Sequence, residues 1–243
     1  MRNDTQIWLP YCGSGPTPGE WLARWNFDPL IGLGLLAGFI IWHRWGAREE
    51  RTAAVAASVV VVGLFMSPFC ALGSALFAVR IVHDVILATV LAPLIMRAFA
   101  LDRCNFSGTL ILWTGIHASI FLGWHAPVLY EAAMNSSLMF WIMQISITGS
   151  AAIWWSRVLR APPTNAVAAL LATMLVMGLL GALLTFALVP LYAPHYLTAA
   201  AWGLTPLEDQ QMAGVIMWAP ASFIYLLAAL GLLFRSFRPE PIR

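Results

Sequence analysis

The run from Phe77 to Ile95, FAVRIVHDVILATVLAPLI, is apolar and long enough to cross a bilayer, yet it carries Arg80, His83 and Asp84. In a helix, positions i, i+3 and i+4 fall on one face. An arginine, a histidine and an aspartate therefore share one stripe inside hydrocarbon. Each such residue costs roughly 2.5–3.5 kcal/mol at mid-membrane on insertion scales. The stripe must turn inward, and the rest of the chain must hide it and supply its partners.

Composition agrees with a membrane setting. Of 243 residues, 60% are hydrophobic and 10% charged, with a mean hydropathy of +0.79. A soluble globule is about a quarter charged. The expectation is an all-α polytopic membrane protein with one transmembrane domain. All thirteen basic residues are arginine. The absence of lysine excludes a Schiff base, hence a retinal protein and any lysine-dependent covalent mechanism. No basic stripe supports nucleic-acid binding. No paired-carboxylate, nucleophile–base or phosphate-loop motif supports an enzyme. The N-terminal MRNDTQIWLPYCGSGPTP is polar and rich in Pro and Gly, without the apolar core of a signal peptide. The first membrane helix is expected to direct insertion itself.

Seven apolar runs follow in order. Helices are expected at about Pro29–Trp45, Ala53–Phe69, Ala75–Leu101, Ser107–Trp124, Leu138–Ser156, Asn165–Leu188 and Gln211–Phe234. A tight turn is expected at Pro68–Ser74, a polar loop at APVLYEAAMNSS and a longer loop at Val189–Gln210. Residues 1–28 form an outer tail, 29–235 the seven-helix domain and 236–243 an inner tail. Arg44, Arg48, Arg51, Arg97, Arg103, Arg157, Arg160, Arg235, Arg238 and Arg243 fall after helices one, three, five and seven; the loops after two, four and six have none. The N-terminal tail carries only Arg2 and Arg24. By the positive-inside rule the chain is N-out and C-in. Tryptophans near span ends, among them Trp8, Trp154 and Trp155, fit an interfacial belt. Gly32, Gly34, Gly38, Gly178 and Gly181 allow close helix contacts.

This orientation gathers the polar residues in the outer half. Arg80 and Asp84 form either a self-neutralising intrahelical pair or a site in which Asp209 or Glu208 competes for the arginine. His83 and His117 are either histidines bonded to backbone carbonyls or a copper or haem site between helices; imidazole and sulfur suit copper. Met66, Met134, Met139, Met143 and Met212 lie toward the same side. His125 and His195 are solvated rim residues or further ligands. Cys12 and Cys70 are a disulfide, a thiol copper site or unrelated, the outer compartment permitting a disulfide. Cys104 is inner and inert. Gln144, Glu208, Asp209 and Gln210 complete a candidate polar pocket with Arg80.

Three stretches resemble the CtaG family of cytochrome c oxidase assembly factors: RIVHDVILATVLAPL, GWHAPVLYEAAMNS and PLYAPHYLTAAAWGLTPLEDQQMAGVIMWAP. The last is the most specific. YCG…RWNFDP and SPFCALGSALF look like the family's proteobacterial branch. The resemblance implies a seven-helix factor in a bacterial inner membrane, without catalytic activity, that helps mature haem–copper oxidases. It implies copper delivery or insertion from the periplasmic side, with apo-oxidase subunits and periplasmic copper chaperones as partners. The positions it carries over are His83, His125, Asp209 and Gln210. The chain departs from the family pattern at Asp84, where members often have a second histidine, and at Trp141 and Gln144, where many have histidines. Two other readings remain: a haem-binding electron carrier with His83 and His117 as axial ligands, and a proton or solute transporter gated by Arg80 and Asp84. The transporter reading lacks internal repeats.

Overall fold

The computed structural model describes residues 10–237. Arg2, Trp8, Arg238 and Arg243 lie outside the described residues, as do the outer ends of the two tails. Among the described residues the structure is helical, without strands. Its main helices are α1 (Pro29–Trp45), α2 (Arg48–Met66), α3 (Pro68–Ala75), α4 (Phe77–Ala98), α5 (Leu110–Trp124), α6 (Pro127–Asn135), α7 (Ser137–Arg160), α8 (Pro163–Thr185) and α9 (Pro206–Ser236).

Local sequence explains the starts. Proline opens α1, α3, α6, α8 and α9, where its missing N–H is one the helix cannot use. Asp28 accepts from Leu30 N at 2.8 Å ahead of α1. Ahead of α9, Thr205 and Glu208 form a reciprocal capping box.

Four helices, α4, α7, α8 and α9, are long and apolar enough to cross a membrane. A fifth candidate is the pair α2 and α3, bent by 48° at Ser67. The apolar helices α1 and α5 are shorter, at 17 and 15 residues. The outer faces are apolar: Leu171, Leu175, Leu179 and Leu183 line one exposed stripe of α8. Such a surface suits lipid rather than water. The chain is thus a polytopic membrane protein.

The structure corrects several local expectations. The turn at Pro68–Ser74 is a short helix, because Ser67 caps it and Pro68 starts it. The polar loop after the fourth apolar run is the helix α6, buried through Tyr130, Ala133 and Met134. Trp154 and Trp155 are core residues, 0% and 7% exposed, rather than belt residues. Gly32, Gly34 and Gly38 touch no neighbouring helix, since a Cβ at each would meet nothing within 4 Å. Only Ile31 of α1 is buried.

Close packing occurs instead where α8 crosses α9. A Cβ on Gly181 would come within 2.8 Å of the Gly214 carbonyl, and one on Gly214 within 2.6 Å of the Gly181 carbonyl. Small residues let two backbones approach in this way.

Prolines inside spans are absorbed by π-helical turns. In α4 the Ala92 N–H reaches back five residues to Leu87 O. In that register Pro93 has no N–H to offer Ala88 O, and the Trp155 indole N–H donates to that carbonyl at 2.9 Å. Pro220 sits inside a similar turn at Met217–Ala221 of α9. Freed carbonyls in hydrocarbon must find such replacements.

Two devices fix α4. The Asp209 carboxylate on α9 accepts from Phe77 N at 2.7 Å and from Ala78 N at 3.0 Å, capping α4 from another helix. The next two residues hold the preceding loop: Gln210 accepts from Leu191 N at 2.6 Å and donates to Val189 O at 3.4 Å, and Gln211 donates to Ala187 O at 3.3 Å. On the other side, residues 10–28 lie as a strap over the bundle end. Cys12 and Cys70 form a disulfide that ties the strap to α3. Tyr11 stacks on Phe140 at 4.9 Å, meets Trp141 edge-on at 5.2 Å, and its hydroxyl donates to Asp28. Burial first, and then Asp28, push the Tyr11 phenol up to about 12.

Two stability outcomes follow from these contacts. Gly214→Ala overpacks the α8–α9 crossing and is expected to destabilise the protein by about 1–3 kcal/mol, read as lower thermal stability in detergent. Asp209→Ala strands two buried N–H groups, at about 1–3 kcal/mol each, and is expected to increase hydrogen exchange first at the start of α4.

Candidate functional site

Asp209 sets where α4 begins, and that start places Arg80, His83 and Asp84 on its inward face. Each is 1% exposed. His83 Nδ1 lies 3.5 Å from one oxygen of Asp84, and His125 Nε2 lies 3.9 Å from the other. One buried carboxylate therefore stands between two imidazoles from different helices.

The His125 ring is fixed by two contacts and its backbone by a third. Its Nδ1–H donates to Phe121 O at 2.7 Å, and the ring stacks on Phe121 at 4.4 Å. The Tyr192 hydroxyl donates to the His125 carbonyl at 2.7 Å. A carbonyl can only accept, so Nδ1 carries the proton in neutral His125 and Nε2 presents a lone pair toward Asp84. His83 is held by aromatic faces instead, edge-on to Phe65 at 5.0 Å and stacked on Phe69 at 6.2 Å.

Arg80 does not pair with Asp84; among the described residues its guanidinium has no hydrogen-bond partner. It lies 5.1 Å from the centroid of the Phe140 ring, a cation–π contact. Gly73 of α3 leaves room for it, a Cβ there reaching 3.5 Å from the guanidinium. Gln144 lies one turn beyond Phe140 on α7 and is 2% exposed. The roof over this cluster is Phe65, Phe69 and Phe140, with Tyr11 of the strap laid on Phe140.

Other expected site residues are placed elsewhere. Asp209 and Gln210 are buried, but as clasps of backbone N–H groups, so Asp209 does not compete for Arg80. Glu208 is spent in the α9 capping box. His195 is not a rim residue: it is 1% exposed, with Nε2 2.6 Å from the Tyr130 hydroxyl, in a cluster with Phe77 and Tyr192. Burial pushes its imidazole down to about 3, so it is neutral at physiological pH. Cys12 and Cys70 are joined to each other, and a disulfide offers no thiolate to a metal. Met134 and Met143 are buried, whereas Met139 and Met212 are exposed.

His117 lies eight residues before His125 on α5. Its Nδ1 is 3.0 Å from Ser150 Oγ, and that hydroxyl gives its only proton to Ile147 O. Ser150 therefore accepts from His117 Nδ1–H, and His117 Nε2 also presents a lone pair. Its ring stacks on Trp154 at 5.6 Å.

Sequence reading missed the residues that hold these side chains: Phe65, Phe140, Tyr130 and Tyr192. Only the two tyrosines carried a signal, each lying within a stretch that resembles the family. Among the described residues, no three or more His, Cys, Asp or Glu side chains are grouped to hold a metal ion. The donor types are nonetheless those a late first-row ion takes. His125 also shows the outer-sphere arrangement of many ligating histidines, one ring nitrogen held by a carbonyl and the other free.

No curated protein and no solved structure matches the chain. Residues 106–239, just over half of the sequence, match the family described as cytochrome c oxidase caa3 assembly factor (Caa3_CtaG). The matched region contains His117, His125, Gln144, His195, Asp209 and Gln210, and the α4 stripe precedes it. On this match the chain belongs to the cytochrome c oxidase caa3 assembly factor family.

Proposed function

We propose that this protein assists copper delivery to, or copper insertion into, an immature cytochrome c oxidase from the periplasmic side of a bacterial inner membrane. Copper is cargo in this reading, and the chain has no catalytic activity of its own. The seven apolar runs cross with the N-terminus outside and the C-terminus inside. The partners are apo-oxidase subunits within the bilayer and copper chaperones outside it.

One observation carries the reading. The lone pair of His125 Nε2 and an oxygen of Asp84 face each other at 3.9 Å, with His83 on the other oxygen. Two acceptors in a low-dielectric interior repel unless a proton or a cation lies between them. Imidazole nitrogen is a good copper donor, and Asp84 supplies negative charge that an incoming cation needs. Arg80, in the same cluster, opposes that cation and keeps it loosely held, as cargo must be. Because every member is 2% exposed or less, exchange requires the aromatic roof and the strap to move.

Two measurements test this. Purified protein titrated with Cu(I) is expected to bind copper, and the His83→Ala/His125→Ala variant to lose that binding; equal stoichiometry in both removes the copper claim. Tyr192→Phe deletes the hydrogen bond to the His125 carbonyl without touching a donor atom. It is expected to weaken Cu(I) binding by about 2- to 10-fold, the worth of one buried hydrogen bond, while stoichiometry stays unchanged.

A further inference from the structure

The end of the bundle away from this cluster holds a second, chemically different site. A cavity of about 230 Å³ opens where the start of α2, the last turn of α4, the loop after it and the last turn of α7 meet. Its charged lining is Arg97, Arg103, Arg160, Glu50 and Asp102, and its apolar lining includes Met96 and Leu159. Arg97 lies some 13 residues beyond Asp84 on α4, which at about 1.5 Å per residue puts the cavity roughly 20 Å from the buried carboxylate.

The three arginines are not equivalent. Arg103 is paired with Glu49 at 2.6 Å. Arg160 donates through Nη1 to Cys104 O at 2.8 Å, which aims the guanidinium while leaving its other nitrogens available. Arg97 is exposed, and among the described residues no side-chain hydrogen bond or ion pair engages it. Glu50 and Asp102 likewise accept no hydrogen bond there. The cavity thus sets one unengaged guanidinium, that of Arg97, and the remaining nitrogens of Arg160 beside two carboxylates whose nearest electrostatic partner is Arg103, against an apolar wall.

Its level in the bundle matters. Met96 and Arg97 close the span Phe77–Ala98, and Leu159 and Arg160 close the span Ser137–Arg160. The ends of spans lie at the headgroup layer of a bilayer. Leu159 is 45% exposed. Arginine forks match phosphate, and carboxylates match an ammonium with N–H donors. Basic pockets between spans are a recurrent way of holding lipid headgroups.

We infer that this cavity binds the headgroup of an amine-bearing zwitterionic phospholipid, its phosphate on Arg97 and Arg160 and its ammonium on Glu50 and Asp102. A doubly charged or purely anionic headgroup meets the two carboxylates without compensation. Free phosphate lacks both the amine and the apolar wall.

The full chain in detergent, stripped of lipid, is the material for the test. Thermal shifts are read on adding phosphatidylethanolamine, phosphatidylglycerol, phosphatidylcholine or inorganic phosphate, and native mass spectrometry counts retained lipid. Phosphatidylethanolamine is expected to give the largest rise, and Arg97→Ala, which removes a side chain with no partner of its own, to abolish it. Glu50→Gln/Asp102→Asn is expected to make phosphatidylglycerol as effective as phosphatidylethanolamine. An equal rise in wild type with phosphatidylglycerol, phosphatidylcholine or phosphate, or a full response in Arg97→Ala, overturns the inference.

Discussion

The contact on which most of this structure depends is the one between the Asp209 carboxylate and the first two backbone N–H groups of α4. Leu76, the residue in the cap position, has no side-chain oxygen to give. A helix beginning inside the protein with bare donors would be costly, and α9 supplies the acceptor from a distance of more than a hundred residues. A carboxylate at a helix N-terminus is favoured twice, by hydrogen bonding and by the helix dipole. By fixing where α4 starts, it fixes which face carries Arg80, His83 and Asp84. Gln210 and Gln211 then hold the loop that brings Tyr192 to His125. One short acidic–amide element thus organises a site it does not enter.

That division of labour marks what the sequence could and could not disclose. Apolar runs and the α4 stripe are one-dimensional signals: the long spans α4, α7, α8 and α9 fall on apolar runs, and the stripe turns inward. His83 and His125 lie on different helices, and both rings approach the Asp84 carboxylate. The roles of Asp209 and Gln210 were misread because composition cannot distinguish an acid that binds a ligand from one that binds a helix end. Glu208 carried a clearer signal, the Thr-x-x-Glu spacing of a capping box. α6 reads as a loop because it is only nine residues long and is bounded by Pro127 and by Asn135 and two serines. Its burial is decided by the aromatic cluster with Tyr192 and His195, which is tertiary. The glycines of α1 show the converse: a spacing suited to close packing, with no helix against it.

The two ends of the bundle use charge differently. At one end, a carboxylate, two imidazoles and a guanidinium are packed among aromatic rings, and hydrogen bonds to Phe121 and Ser150 decide which nitrogens keep lone pairs. At the other, arginines are spent on loop carbonyls. Arg157 donates to both Phe106 and Gly108, and Arg160 to Cys104. A planar fork with several fixed donors does this better than an ammonium, a physical reason for a chain with many arginines and no lysine.

The disulfide carries a last implication, one of parity. Cys12 precedes α1 and Cys70 follows α2, 58 positions apart. Two sulfurs joined by a bond reside on the same side of a membrane. The polypeptide between them therefore traverses the bilayer an even number of times or not at all, so α1 and α2 either both cross or neither does. The short first helix, nearly bare of contacts, is thereby bound to share the fate of its neighbour.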